Sequence, residues 1–413
     1  MAVNAPKVKI KNPNCCTSAF GRIFYAYDST VLFSQVLISD KDAGRCYQNN
    51  DPTSEEIPDL LDTDGGVITL EESIRIKALK AFKSGVLVFT TNGVWYIYNP
   101  DGGFKATAFN VAKVSERGIE SERSIVEAEG AVFYFSNNAI MRISASEFDV
   151  LSSEDVSSDR IRSYFLSNFA GRKAQGVYDS AKKQLVWWTP ERDPEGLIYD
   201  LESNAYYPQK VRGDEEGEWS WKLGRPFTIN NAVFYPCWRQ RDSVPDIQYT
   251  PSQPTNEGFS DFRRGIEAFL ISGYETLGKF SNKKRANTLK VFFKKTETEI
   301  TGYASGKYTY DYPSGCLFQA RWDFDNSATA ERWYGDLDTG GIAGREIQLY
   351  NPLQRGFMVD SFPSPFDTGE SVVKSKVRVR GSGDAVQFVF KTEPGKDMKL
   401  LGYSVSYDMG ARM

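Results

Sequence analysis

The chain contains no histidine among its 413 residues. That absence removes the commonest general base, the commonest metal ligand and every nucleophile pair that leans on an imidazole. Cysteine is scarce: Cys15, Cys16, Cys46, Cys237 and Cys316 are the only five. None falls in a CxxC spacing, which argues against a zinc site, and the odd, scattered count points to reduced thiols and synthesis in a cytosol. There is no apolar run of membrane-spanning length, and MAVNAPKVKIKNPN lacks the apolar centre of a leader peptide. The expectation is a soluble protein. A strong basic excess is missing too. Residues 1–280 hold 31 basic and 38 acidic side chains and residues 281–413 hold 19 and 16, so neither part is cationic enough to grip a phosphate backbone tightly.

What is present in quantity is aromatic: Phe, Trp and Tyr make up 14% of the chain, which favours pleated, half-buried surfaces. VLVFTTNGVWYIYN, from Val86 to Asn99, reads as two apolar strands hinged on Asn92-Gly93, a strong hairpin signal. VFYFSNNAIMRI from Val132 has the same grammar, as do QLVWWTP with GLIYDL near Leu185, AVFYPCW with DIQYT near Val233, and TVLFSQVL near Val31. The steps from Val31 through Val86, Val132 and Leu185 to Val233 are 55, 46, 53 and 48 positions. Units of about 45–50 residues with about four strands each match β-propeller blades. In each unit an apolar face alternating with polar residues needs a neighbouring sheet to cover it. Sandwich strands at irregular spacing are the other architecture compatible with the pattern. One helix is expected over Ser157–Phe169, with Ile161, Phe165, Leu166 and Phe169 on its apolar stripe. EIPDLLDTDGG, Glu56–Gly66, reads as a loop ending in an Asp-Gly-Gly turn.

The pattern changes at SNKKRAN, Ser281–Asn287. Longer strands follow, with turns at Gly381-Ser382-Gly383 and Pro394-Gly395-Lys396. The reading is therefore all-β: β-propeller blades over residues 1–280 and an antiparallel β-sandwich over residues 281–413.

Chemistry-bearing patterns are sparse. Asp62-Thr63-Asp64-Gly65-Gly66 and Asp323-Phe324-Asp325-Asn326-Ser327 have some calcium-loop spacing. The twelfth positions are Ser73 and Tyr334 instead of a bidentate acid, so both read as polar turns. GDEEGE, Gly213–Glu218, reads as an acidic solvated loop. Lys374, Lys376, Arg378 and Arg380 alternate with Val373, Ser375, Val377 and Val379, which would place four cations on one strand face. They form either a solvated face or a stripe that contacts an acidic partner or a polyanion, and Lys283, Lys284 and Arg285 could extend it. Trp187, Trp188, Trp219 and Trp221 could stack on sugars, or could simply pack between sheets. No catalytic, cofactor-binding or metal-binding residue is assigned.

GRIFYAYDSTVLFSQVL, NNDPTSEEIPDLLDTDGGVI and VLVFTTNGVWYI resemble the tail nozzle proteins (tail tubular protein B) of short-tailed bacteriophages, and the likeness continues through SGCLFQARWDFDNS and KSKVRVRGSGDAVQFVF to LLGYSVSY. The resemblance implies a non-enzymatic virion protein with a β-propeller and a β-sandwich platform. It implies a hexameric ring beneath a tail adaptor protein, with fibres or spikes at its flank. Genomic DNA would leave through the ring without specific binding. No cofactor and no membrane span is expected. Nozzle proteins of this kind have a longer N-terminal part, whereas TVLFSQVL begins here at Thr30. The expectation is therefore an incomplete propeller, either reduced or completed by a second chain that covers its open edges. The rival readings are a propeller glycan-binding protein or glycosidase, with two axial carboxylates, and a tail-fibre adaptor.

Overall fold

The computed structural model describes residues 12–48, 60–146, 150–157, 161–189, 195–210, 221–239, 245–249, 260–261, 264–265, 268–278, 282–294, 300–304, 307–310, 316–324, 372–379, 381–392 and 398–409. The chain divides into two compact units between Ser252 and Gln253. The break lies upstream of the pattern change at Ser281, because Phe269–Ile271 already pairs with a strand of the C-terminal unit.

Among the described residues the N-terminal unit is a row of five antiparallel sheets, each a near-continuous meander. The first holds β1 (Cys15–Ala19), β2 (Arg22–Tyr27), β3 (Thr30–Phe33) and β4 (Gly66–Thr69). The second holds β5 (Ile76–Phe82), β6 (Gly85–Thr90), β7 (Val94–Tyr98) and β8 (Asn110–Ser115). β9 (Val126–Ala128), β10 (Ala131–Phe135), β11 (Ile140–Ala145) and β12 (Leu151–Asp155) make the third. The fourth comprises β13 (Gln175–Asp179), β14 (Gln184–Trp188), β15 (Glu195–Asp200) and β16 (Ala205–Lys210). In the fifth, β17 (Trp221–Leu223) and β18 (Phe227–Ile229) share one side of β19 (Ala232–Arg239), and β20 (Pro245–Tyr249) takes the other.

The sheets stack face to face as propeller blades. Phe24, Val31, Phe33 and Ile68 of the first meet Ile76, Val86, Val88 and Trp95 of the second. The other face of the second sheet, with Leu87, Phe89 and Tyr96, meets Val132, Tyr134 and Met141 of the third. Phe133, Phe135 and Ile140 then pack on Leu185, Trp187, Leu197 and Tyr199 of the fourth. β6 and β10 are therefore buried at every position. The expected alternation of apolar and polar residues does not hold for these strands, because a sheet with a neighbour on both faces has no wet side. The repeat is correct in kind and shifted at both ends. Val86, Val132 and Leu185 lie on second strands, whereas Val31 and Val233 lie on the third strands of their sheets in chain order, Val31 ahead of the long connection to β4.

Helix α1 (Arg162–Asn168) is shorter than expected. Phe165 and Phe169 enter the core between the third and fourth sheets, but Leu166 is exposed.

In the C-terminal unit β21 (Ser260–Asp261) pairs with β22 (Arg264–Gly265), and β25 (Ile300–Ala304) with β26 (Lys307–Tyr310). Two three-stranded sheets form its sandwich. One orders β23 (Phe269–Ile271), β29 (Val386–Thr392) and β27 (Cys316–Trp322); the other orders β28 (Val372–Arg378), β24 (Lys284–Lys294) and β30 (Lys399–Met409). Leu289, Val291, Phe293 and Val377 of the second sheet pack on Phe318, Phe388 and Phe390 of the first. Gly381-Ser382-Gly383 is not a hairpin turn, since the strands it joins belong to different sheets.

Candidate functional site

On one side of the stack β1 meets β5, β9 meets β13, and β13 meets β18, the second strand of the fifth sheet. They frame a polar cleft. Its upper part, about 550 Å³, is lined by Cys15 and Cys16 of β1, Arg75, Lys77 and Lys80 of the β5 segment, Glu122, and Arg225. A bulge between Ile76 and Ala78 in the β5–β6 register re-aims the strand there, so that Ile76 and Ala78 serve opposite faces of the sheet. Lower down, Lys80 Nζ lies 2.9 Å from Glu127 of β9. The Tyr178 hydroxyl donates to Glu129 Oε1 at 2.5 Å. Burial first, and then this bond to a carboxylate, push the Tyr178 phenol up to about 12. Ser180 contacts Asn231 at 3.2 Å, tying the fourth sheet to the fifth.

This cleft can hold charged or polar groups, and none of its described carboxylates sits in apolar surroundings. Carboxylate chemistry on a glycoside needs one carboxyl kept protonated by apolar surroundings. Glu122, Glu127 and Glu129 are all exposed, Glu127 is ion-paired, and Glu129 accepts from a tyrosine. Cys15 is no activated nucleophile either. Burial, with the neighbouring Cys16, pushes its thiol up to about 11. Among the described residues no cluster of three or more carboxylate or cysteine side chains could hold a metal ion.

The sugar-stacking reading fails for the tryptophans that can be placed. Trp187 and Trp188 are 0% and 3% exposed. Trp187 donates from its indole to Ser124 O at 2.9 Å and packs on Phe135. Each faces a cross-strand glycine, Gly176 or Gly196, where any Cβ would come within 2.7 Å of the ring. Trp219 lies outside the described residues, as does the side chain of Trp221.

Strands β2 and β3 and the run Asp62–Asp64 come together at Arg22. This arginine is 1% exposed on β2, yet among the described residues no carboxylate side chain is bonded to it. Its Nη1 donates to Ser34 O at 2.7 Å, Thr63 O at 3.2 Å and Asp64 O, and its Nη2 donates to Asp62 O. The guanidinium also sits 5.7 Å from the ring centres of Phe33 and Phe104. Asp64 turns its own carboxylate to the Leu61 amide at 2.8 Å, and Asp62 pairs with Lys105 at 3.3 Å. The Asp-Gly-Gly run is thus one side of a lock around a buried cation. Its glycines answer to space, not to turn geometry. A Cβ on Gly65 would meet Arg45 O at 2.4 Å, and one on Gly66 would meet the Phe33 ring at 2.6 Å. Asp323, the other calcium-like position, accepts from the Asp384 and Ala385 amides.

Of the basic stripe, Lys374, Lys376 and Arg378 are exposed on β28, and Val377 and Val379 are buried opposite them. Arg380 lies outside the described residues, as does the acidic run Gly213–Glu218. Lys284 does not extend the stripe. It is 1% exposed and donates to Asp384 O at 3.0 Å.

No family model matches the chain, and no curated protein does. Solved structures match at low identity. A catalytically inactive virginiamycin B lyase from Staphylococcus aureus with quinupristin is 10% identical over 58% of this chain and 71% of that one, with a TM-score of 0.33. The N-terminal domain of Nup159 is 8% identical over 66% and 69%, with a TM-score of 0.31. An engineered GH43 glycoside hydrolase covers 96% of this chain and 97% of its own at 10% identity, with a TM-score of 0.24. Scores this low carry nothing about chemistry, and the fold assignment rests on the strand pairings above.

Neither the cleft nor the Arg22 lock is assigned by the sequence patterns. The cleft gathers single residues from separate sheets, and the lock's acceptors are backbone carbonyls, which no side-chain motif records. The Gly-Arg start of the resemblance segment was the one available signal.

Proposed function

We propose that this β-propeller protein is a non-enzymatic structural component of a phage tail, a nozzle-type subunit that assembles into a hexameric ring around the DNA exit channel. On this reading it belongs to the virion, binds the tail adaptor and the fibres or spikes, and a second chain covers any open propeller edge. The sequence resemblance supplies the type of assembly. The observation that carries the assembly itself is β23. Phe269, Leu270 and Ile271 are 50%, 46% and 52% exposed on an edge strand that pairs, among the described residues, only with β29. An apolar open edge of that kind is a liability in a monomer and an asset in a ring. The Arg22 lock supports the same reading, because there residues that carry the resemblance serve to hold the fold together.

Native mass spectrometry and electron microscopy of the purified chain, alone and with its adaptor, test the proposal. Rings are expected, and Leu270→Lys is expected to break them into monomers. A chain that stays monomeric at high concentration with adaptor present overturns it. So does hydrolysis of capsule or lipopolysaccharide that is abolished by Glu127→Gln or Glu122→Gln, which would move the assignment to a glycosidase.

A further inference from the structure

The outer face of the sheet β28-β24-β30 places cations beside cations. Lys376 of β28 stands opposite Lys290 of β24 in the register, Lys374 opposite Phe292, and Arg378 opposite Thr288. Across β24, Lys290 and Thr288 stand opposite Ser404 and Ser406 of β30. All these positions alternate with the buried Leu289, Val291, Phe293 and Val377, so they share the face turned away from the core. Directly opposed like charges destabilise a sheet. Neither Lys290, Lys374, Lys376 nor Arg378 has an ion-pair partner among the described residues. Of the outward positions on the three strands only Asp408, at one corner, is acidic, and it accepts from Asn287. Packing does not account for this arrangement.

We propose that this face binds the sugar–phosphate backbone of duplex nucleic acid without sequence preference. Cations at alternate positions of one strand stand about 6.6 Å apart, a spacing that suits successive phosphates, and Lys290 makes the row two strands wide. The donors are mostly lysines with serine and threonine hydroxyls beside them, which is the phosphate-contacting set. Protein interface cores are depleted in lysine and carboxylate recognition favours the arginine fork, so an acidic protein surface fits less well. The one aromatic ring, Phe292, is covered by Lys374 Nζ at 5.9 Å, which leaves no open platform for unstacked bases. The near-neutral charge of the whole C-terminal region conceals this, because most of its acidic residues are outside these three strands in the sequence.

The test is fluorescence anisotropy of the full chain with a 30-base-pair duplex, a single strand of the same length, and polyglutamate of equal charge. About four phosphate contacts give a log–log salt slope of about −3.6, a loss on the order of 100-fold between 50 and 200 mM salt. K290Q/K374Q/K376Q/R378Q should weaken duplex binding at least tenfold and flatten that slope towards zero. The control K41Q/K173Q/K182Q should leave both unchanged. The melting temperature of the quadruple variant should match or exceed the parent's, because the opposed lysines are gone, and this separates lost binding from lost folding. No duplex binding at 50 mM salt, an unchanged slope in the folded quadruple variant, or tighter binding of the single strand or polyglutamate would each overturn the proposal. Ring formation does not enter the assay, so its outcome is independent of the nozzle reading.

Discussion

Arg22 is a charge buried for the sake of neutral acceptors. Four carbonyl oxygens, those of Asp62, Thr63, Asp64 and Ser34, point at one guanidinium, and the bonds to Ser34 and Asp64 are buried, so those two acceptors are stranded if it is removed. Burial lowers the Arg22 pKa, and the nearby Asp64 and Asp62 charges oppose that shift. Hydrogen bonds to charged groups contribute about 1.5–3 kcal/mol each, and stranded buried acceptors cost about 1–3 kcal/mol. Arg22→Met should therefore cost about 3 kcal/mol or more in urea-induced unfolding of the N-terminal unit. Arg22→Lys should recover little of it, because one ammonium cannot reproduce a planar fork. A loss below about 1 kcal/mol for either variant would mean that the carbonyls find other donors and that the lock is not structural. The tryptophans make the same point in reverse. Trp187 and Trp188 are buried by their place in the stack, which no count of aromatic residues reveals.

Among the elements, the β6–β7 hairpin shows how a correct prediction can rest on the wrong cause. Asn92-Gly93 is the expected signal for a turn with positive φ. Neither residue has a positive φ here, whereas Phe20-Gly21, Glu129-Gly130 and Asn230-Asn231 all do, each between the strands of a hairpin. Asn92 is instead a clamp. Its side chain donates to Glu72 O at 2.7 Å and accepts from the Ile74 amide at 3.2 Å, joining the hairpin tip to the segment that enters β5. Gly93 is required by space, since a Cβ would lie 2.8 Å from Ser115 O. A turn that needed only left-handed backbone would tolerate Asn92→Gly. The clamp predicts that Asn92→Gly costs as much as Asn92→Ala, about 1–2 kcal/mol, and that Gly93→Ala costs about 1–3 kcal/mol from crowding. Thermal and urea unfolding of the three variants would decide it, and a neutral Asn92→Gly would restore the turn explanation.

At the scale of the whole molecule, both units share an alkaline limit. Burial is the leading cause that pushes Tyr134, Tyr178 and Tyr403 each up to about 12, with Glu129 and Glu275 adding to it for the last two. A tyrosine with a raised native pKa holds its proton longer folded than unfolded. Its contribution is complete below about pH 10 and drains away as pH rises towards 12. At the acid end Asp155 behaves oppositely. Burial would raise its pKa, but hydrogen bonds from Ser157 and Arg117 leave it lowered, so its contribution is lost as pH falls below its ordinary value of 3.8. Urea midpoints should therefore fall between pH 10 and 12, and Tyr134→Phe should flatten that fall while costing about 1 kcal/mol at pH 7 through its lost bond to Ser115 and Arg117. An unchanged midpoint at pH 11.5 would contradict the linkage.

Local periodicity is legible from the sequence because backbone geometry enforces it. A strand turns alternate side chains to opposite faces wherever it lies, so the blade repeat, the all-β class and the parity of Lys374, Lys376 and Arg378 against Val377 could all be read in advance. What covers each face depends on which distant segments meet it. The tertiary structure alone decided that β6 and β10 have no wet side, that Lys284 is buried and Leu166 is not, and that Gly381-Ser382-Gly383 crosses between sheets. It alone brought the carbonyls of residues 34 and 62–64 around Arg22. The period of a strand is a property of its own bonds, whereas burial is a property of its neighbours.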